Sequence, residues 1–226
     1  RRAVGENETR VRVARPAAYA GSSQRRSGAA SGVESLRMVR HVVRLRRVAI
    51  TGIGVVSPNG LGREAFARAC RGGESGLRRV AWADLDSPDV AEVRDAVVGR
   101  LEGFDPSREV APEEAHRVPR AAALAVAAAR EALDDAFCGG GAPEETREAI
   151  GVALGTGGGP IEFLERVYLA HFTGTMRKRT PYFVVGGTAG SLASEVSIAL
   201  GLRGPSHVLS CGCTSAHDAV GHAFDA

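Results

Sequence analysis

The sequence predicts a soluble domain of layered α/β architecture, and three stretches carry that reading. Residues 48–56 and 150–154 are apolar, β-branched runs punctuated by glycine, with the character of buried strands. Residues 117–137 are alanine-rich with Leu124, Ala128 and Leu133 on helical spacing. Residues 204–224 read as turn, strand, tight corner and helix. Apolar residues make up 44% of the 226 and charged residues 24%, and no run approaches the roughly 18 uncharged apolar residues of a spanning helix. Collagen-like, disulfide-scaffold and membrane-spanning classes are thereby excluded.

Charge divides the chain before any element does. Residues 1–47 carry 12 arginines against Glu6, Glu8 and Glu34, a net of +9, which leaves −6 for the remainder of a chain whose total is +3. A mildly acidic body argues against a nucleic-acid groove, which needs clustered basic charge on the folded surface. Residues 1–46 are expected to be a disordered basic tail or a non-native upstream segment, with residues 1–37 dispensable and Met38 as the start of translation. Their arginine-rich, acid-poor composition also resembles an organelle transit peptide, so import through residues 1–37 is the minor alternative to a cytoplasmic location. Cys70, Cys138, Cys211 and Cys213 form no regular disulfide framework, and a reducing compartment fits them best.

From Arg47 each element has its own warrant. The run Val48 to Val56 is expected to be a buried strand that ends in the turn Ser57-Pro58-Asn59-Gly60. Glu64 to Cys70 is a short helix stopped by Gly72-Gly73, and residues 80–112, interrupted by Pro88, Pro106 and Pro112, read as a surface excursion. The helix over 117–137 is stopped by Gly139-Gly140-Gly141-Ala142-Pro143, and its alanines permit close approach to neighbouring backbone. Residues 161–179 are helix then loop, and Ser191 to Leu200 is a helix closed by Gly201.

The glycine-rich loop Gly155 to Pro160 follows a strand, where backbone amides can hold phosphate. No Gly-Lys-Ser/Thr follows, and the three-glycine dinucleotide spacing is not met. The loop therefore reads as a close-packed turn.

Cys213 falls on the corner between the last strand and the last helix. A thiol at a helix start faces unpaired amides that favour the nucleophilic thiolate. Gly212 and the small residues after Cys213 leave room for an acyl group, and Ala216, Ala219, Val220 and Ala223 are expected to bury the helix on one face. Two other readings compete. Cys213 is an inert core thiol in the first. In the second, His207, Cys211, Cys213 and His217 supply a small metal-binding module, although Cys-x-Cys is poorer zinc spacing than Cys-x2-4-Cys and no second ligand pair exists.

The pattern Gly204, Leu209, then Gly212-Cys213-Thr214-Ser215-Ala216 with Val220 downstream resembles the active-site cysteine signature of the β-ketoacyl synthases, condensing enzymes of the thiolase-like fold. The opening run Val48 to Pro58 with Gly60, the stretch Gly72-Gly73-Glu74-Ser75-Gly76, and Gly201-Leu202-Arg203-Gly204-Pro205-Ser206 are similar to the same family. The resemblance covers residues 47–226. It departs where the family often has asparagine, within Gly186 to Ser191, and proline, at Val185.

The resemblance implies a thiolase-like layered α-β-α fold, with residues 47–226 as the first half of its pseudo-duplicated core, truncated. It implies that Cys213 takes an acyl group from the phosphopantetheine of an acyl carrier protein, with its own backbone amide in the oxyanion hole. A decarboxylating Claisen condensation with the malonyl carrier protein follows, in fatty-acid or type II polyketide synthesis. No bound cofactor or metal is implied. The family's histidine pair and lysine lie in its second half, and none of the six histidines here has that context, so the fragment is expected to be inactive in condensation. The expected partners are the carrier protein and a second ketosynthase subunit, as homodimer or heterodimer, with the strand ending at Leu209 at the two-fold axis. A non-catalytic partner subunit of a ketosynthase is the remaining alternative.

Overall fold

A computed structural model of the chain describes residues 47–82, 94–111, 117–176 and 181–226. Contacts divide the chain into Arg1–Leu45 and Arg46–Ala226, and all the described residues belong to the second unit. The expectations for residues 1–46 lie outside the described residues.

Small and β-branched residues on facing helices set the centre of this unit. Helix α2 (Arg120–Ala136) presents Ala122, Ala123 and Val126, all essentially inaccessible to water, to helix α5 (Gly190–Leu200), which answers with Leu192, Ala193 and Val196. Alanines on both faces let the two backbones approach closely, as the composition of α2 predicted. Val118, Ala122 and Leu192 form the core cluster, flanked by Val110, Ala121 and Leu154. Pro119 precedes the first turn of α2, where its missing N–H costs nothing. Gly201, at φ 65°, closes α5 in the left-handed region.

Strand β5 (Val152–Gly155) lies on α5 and pairs in parallel with β6 (Ser206–Leu209), in the register Val152 to Ser206 through Gly155 to Leu209. Helix α6 (Ser215–Asp225) packs on the same two strands. The order of layers is thus helix, two-stranded sheet, helix. Helix α3 (Ile161–Phe172) anchors itself through buried Phe163, whose ring meets Phe183 of the short helix α4 (Tyr182–Gly186) edge to face at 6.4 Å.

The opening run differs from its expectation. Only Val56–Ser57 is a strand, β1, pairing antiparallel with β2 (Gly60–Leu61), and Val48, Ile50 and Ile53 are exposed. A strand exists through its partners. Here residues 52–55 lie across α2 instead, so closely that a β-carbon on Gly54 would stand 1.8 Å from the Ala128 carbonyl oxygen. Two carboxylates of α2, one turn apart, take the place of a neighbouring strand. Glu131 accepts the Val55 N–H at 2.8 Å and the Arg63 N–H at 2.7 Å, while Asp135 accepts the Ile53 N–H at 3.1 Å and pairs with the Arg63 guanidinium. Glu131 thereby also caps the first turn of α1 (Arg63–Gly72), which ends at left-handed Gly73 as the Gly72-Gly73 pair predicted.

The excursion over 80–112 contains more order than its prolines suggested. Strand β3 (Leu77–Ala81) pairs antiparallel with β4 (Asp95–Gly99) over five residues on each side, and the connection over 83–93 lies outside the described residues. Helix α6 departs in the other direction. Ser215 and Ala219 are buried, while Ala216, Val220 and Ala223 are exposed. Two strands offer a single seam for a helix, and one i, i+4 pair fills it.

Candidate active site

The corner after β6 is built by backbone geometry first. The Leu209 carbonyl accepts the Thr156 N–H at 3.0 Å, which fixes the end of β6 beside the loop that follows β5. Gly212 then adopts φ +72°, a left-handed conformation that a side chain would strain. Gly212–Thr214 form one 3-10 turn that runs directly into α6 at Ser215. Cys213 sits in the middle of this turn, exposed to solvent.

Ser215 holds the corner closed. Its buried hydroxyl donates to the Gly212 carbonyl at 2.6 Å and accepts the Cys211 N–H at 2.8 Å, joining both sides of the turn through one oxygen. The Thr214 hydroxyl lies 3.2 Å from both the Cys211 carbonyl and a carboxylate oxygen of Asp218. That same Asp218 carboxylate acts on the Cys211 thiol, and hydrogen bonding to it, then loss of hydration and its negative charge, push the thiol above the usual range. Cys211 is thus held protonated beside the exposed Cys213.

The glycine-rich loop is a packing device, as its missing phosphate partners suggested. A β-carbon on Gly155 would fall 2.2 Å from the Ser215 carbonyl oxygen, so the start of α6 rests on bare backbone. A β-carbon on Gly157 would lie a looser 3.4 Å from the Gly212 carbonyl oxygen, and the Thr156 hydroxyl braces the loop by accepting the Gly159 N–H at 2.9 Å.

The structure does not gather the four side chains of the metal reading. His207 instead meets His222 edge to face, with ring centroids 4.9 Å apart, and Cys211 turns to Asp218. Among the described residues no group of three His, Cys, Asp or Glu side chains is placed to hold a metal ion. The inert-core reading of Cys213 also gives way, because all four cysteines are exposed.

Ser215 entered the sequence reading only as a member of the cysteine signature, and neither it nor Asp218 was given a role at the corner. Thr214 and Asp218 stand four apart at a helix start, a spacing that does signal contact. Arg117 and Glu195 were missed as well. They form a largely buried ion pair at 3.5 Å between the approach to α2 and α5, with the Arg117 guanidinium 4.9 Å from the centre of the Tyr182 ring. Both line a cleft that Val185, Thr188, Gly190 and Ser191 share with Val208 of β6. The segment that departs from the family pattern therefore faces the back of the strand leading to the cysteine.

A layered α/β unit with an exposed cysteine on a strand-to-helix corner is the arrangement expected from the cysteine signature. Comparison identifies the family. The family model described as "Beta-ketoacyl synthase, N-terminal domain" matches residues 45–226, and the chain belongs to this family. It is 36% identical to the tetracenomycin polyketide synthase ketoacyl synthase alpha subunit of Streptomyces glaucescens, over 82% of this chain and 43% of that protein. It is 32% identical to 3-oxoacyl-[acyl-carrier-protein] synthase 2 of Vibrio cholerae, over 79% of this chain and 41% of the relative. The ishigamide ketosynthase/chain length factor superposes with a TM-score of 0.64 at 27% identity, covering 78% of this chain and 47% of the other. A β-ketoacyl synthase from Burkholderia phymatum follows at 0.61 and 26%, over 78% of this chain and 42% of that one. The chain spans about two fifths of the length of the curated relatives it matches. The thiolase-like fold expected from the cysteine signature is the fold found.

Proposed function

We propose that residues 47–226 are the nucleophile-bearing domain of a β-ketoacyl synthase and that Cys213 is its acyl acceptor. The single observation that carries this is the placement of Cys213, solvent-exposed in a turn whose shape is imposed by left-handed Gly212 and locked by buried Ser215. In the proposed reaction the Cys213 thiolate attacks the carbonyl carbon of an acyl thioester on the phosphopantetheine of an acyl carrier protein. Negative charge develops on the thioester oxygen, the backbone N–H of Cys213 donates to it, and the pantetheine thiol leaves. The product is an acyl-Cys213 thioester.

Condensation would continue by loss of carbon dioxide from a malonyl carrier protein and attack of its carbanion on that thioester. No histidine of this chain has the sequence context the family uses for that step, so the chain alone is proposed to carry the acyl transfer and not the condensation. Relatives named for both fatty-acid and polyketide synthesis support a role in one of those pathways. A cytoplasmic location is proposed from the irregular spacing of the four cysteines, which fits a reducing compartment. Among the described residues no helix is long and apolar enough to cross a membrane.

The test is acylation read by mass. Incubated with an acyl-pantetheine thioester, the chain gains one acyl group, located in the tryptic peptide that begins at Gly204. C213S abolishes the gain and C211S keeps it. Equal acylation of Cys70 and Cys138, or an acyl group that survives C213S, overturns the assignment.

A further inference from the structure

The Cys-x-Cys pair contains a second thiol for which acyl transfer has no use. We propose that Cys211 and Cys213 form a reversible intramolecular disulfide, made by a hydroperoxide, that caps the Cys213 thiol. Both thiols are exposed, so a small oxidant reaches each of them. Two peptide units separate their α-carbons by at most about 7 Å when extended, and less in a turn, which brings them into the range a disulfide spans. Gly212 between them carries no side chain, lies at φ +72° and has no atom within 4 Å of where a β-carbon would sit, so the corner has room to adjust as the bond closes.

The surroundings also set the order of events. Asp218 keeps Cys211 in its protonated, less nucleophilic form, which leaves Cys213 as the first sulfur to react. The Cys213 thiolate attacks the hydroperoxide, the O–O bond breaks, and Cys213 becomes a sulfenic acid while hydroxide, or the alcohol of an organic hydroperoxide, departs. Cys211 then attacks the Cys213 sulfur. Its proton passes to the adjacent Asp218 carboxylate and on to the leaving hydroxide, so that the S–O bond breaks, water leaves and the S–S bond forms. Two thiols have lost two electrons in all, and one peroxide has been reduced. A bond that closes so small a ring is strained, which makes it an easily reduced, labile disulfide.

The capping consequence rests on Cys213 as the acyl acceptor, whereas the bond itself does not. The chain offers a clean measurement, because no lysine or arginine follows Arg203 through Ala226 and both cysteines share the tryptic peptide that begins at Gly204. Cys70 and Cys138 fall in other peptides. After treatment of the folded chain with hydrogen peroxide, the Gly204 peptide is expected to lose two hydrogens and to resist alkylation until reduced. The peptides of Cys70 and Cys138 should still alkylate. Acylation should fall by roughly tenfold or more and return with dithiothreitol; in C211S a second peroxide should carry the Cys213 sulfenic acid on to the sulfinic acid, a gain of two oxygens and a loss that dithiothreitol does not restore. Oxygen adducts in the unsubstituted chain, with no loss of two hydrogens, overturn the proposal. If the disulfide forms in a chain that never acylates, the condensing-enzyme reading fails alone. If Cys213 acylates normally but never bonds to Cys211, the disulfide fails alone.

Discussion

Asp135 shows how much one side chain of α2 does for the segment lying on it. Its carboxyl is held below the usual carboxylate range, first by the Arg63 guanidinium and then by the Ile53 N–H. The folded state therefore binds the Asp135 proton more weakly than the unfolded chain, whose Asp titrates near about 3.9. The sign follows from linkage. Stability from this contact is fully present above the unfolded value and is lost as pH falls through the lower folded value. D135N is accordingly expected to be less stable than the unsubstituted chain at pH 6, with a difference that shrinks as pH drops below about 4. Denaturant midpoints of the two proteins across pH 3 to 6 measure it. A difference that stays constant over that range would sink the assignment. Asp105 and Glu144, lowered by Ser107 and Arg203 respectively, act equally on both proteins and cancel in the comparison.

At the scale of elements, what was legible followed from whether an element's shape is a property of its own residues. The alanine spacing of α2, the glycine stops of α1 and α5, and the strand-corner-helix around Cys213 are local, and each appears where the sequence placed it. The run from Val48 was misread because a strand is defined by a partner, and only Val56–Ser57 has one here. The apolar stripe of α6 was overextended because its burial depends on the width of the sheet beneath it. The contact of Asp218 with Thr214 was legible in their spacing of four, whereas its effect on Cys211 depends on how the corner turns before α6. The glycine-rich loop joins both kinds of information, and Gly155 tests it. G155A places a β-carbon against the backbone of Ser215 and Ala216, which cannot step aside without lifting α6 from β5. A loss of about 2–3 kcal/mol in unfolding free energy is expected, together with slower acylation of Cys213. G157A, whose new carbon would meet the Gly212 carbonyl at 3.4 Å, should fall well short of that. Equal effects of the two substitutions would mean that the contact between β5 and α6 does not set the corner.

Every two-stranded sheet keeps unpaired strand edges among the described residues, that of β6 among them, and several apolar side chains are without cover. Strand β6 pairs with β5 alone, and Pro205 and Leu209 turn their carbonyls toward β5 to accept from Val152 and Thr156. Strand alternation then directs the N–H and C=O groups of Ser206 and Val208 to the opposite side. An open edge of this kind templates pairing with another chain. Val220 at 69% and Ile198 at 64% exposure, on the two helices that flank this sheet, add apolar surface on which a partner could close. The expectation is a homodimer with the two β6 strands antiparallel across a two-fold axis, an isologous contact in which each strand meets its own copy. Light scattering after size exclusion should give twice the 23.5 kDa chain mass at tens of micromolar, falling toward one chain on dilution. Amide hydrogen exchange identifies the surface used. Ser206 and Val208 should be protected in the dimer and should exchange freely in the monomer, while Val152 and Thr156, bonded within the chain, stay protected in both. A monodisperse monomer at high concentration would contradict this assembly. So would a dimer or larger aggregate in which the Ser206 and Val208 amides still exchange freely, because association would then be running through the exposed helix faces rather than the strand.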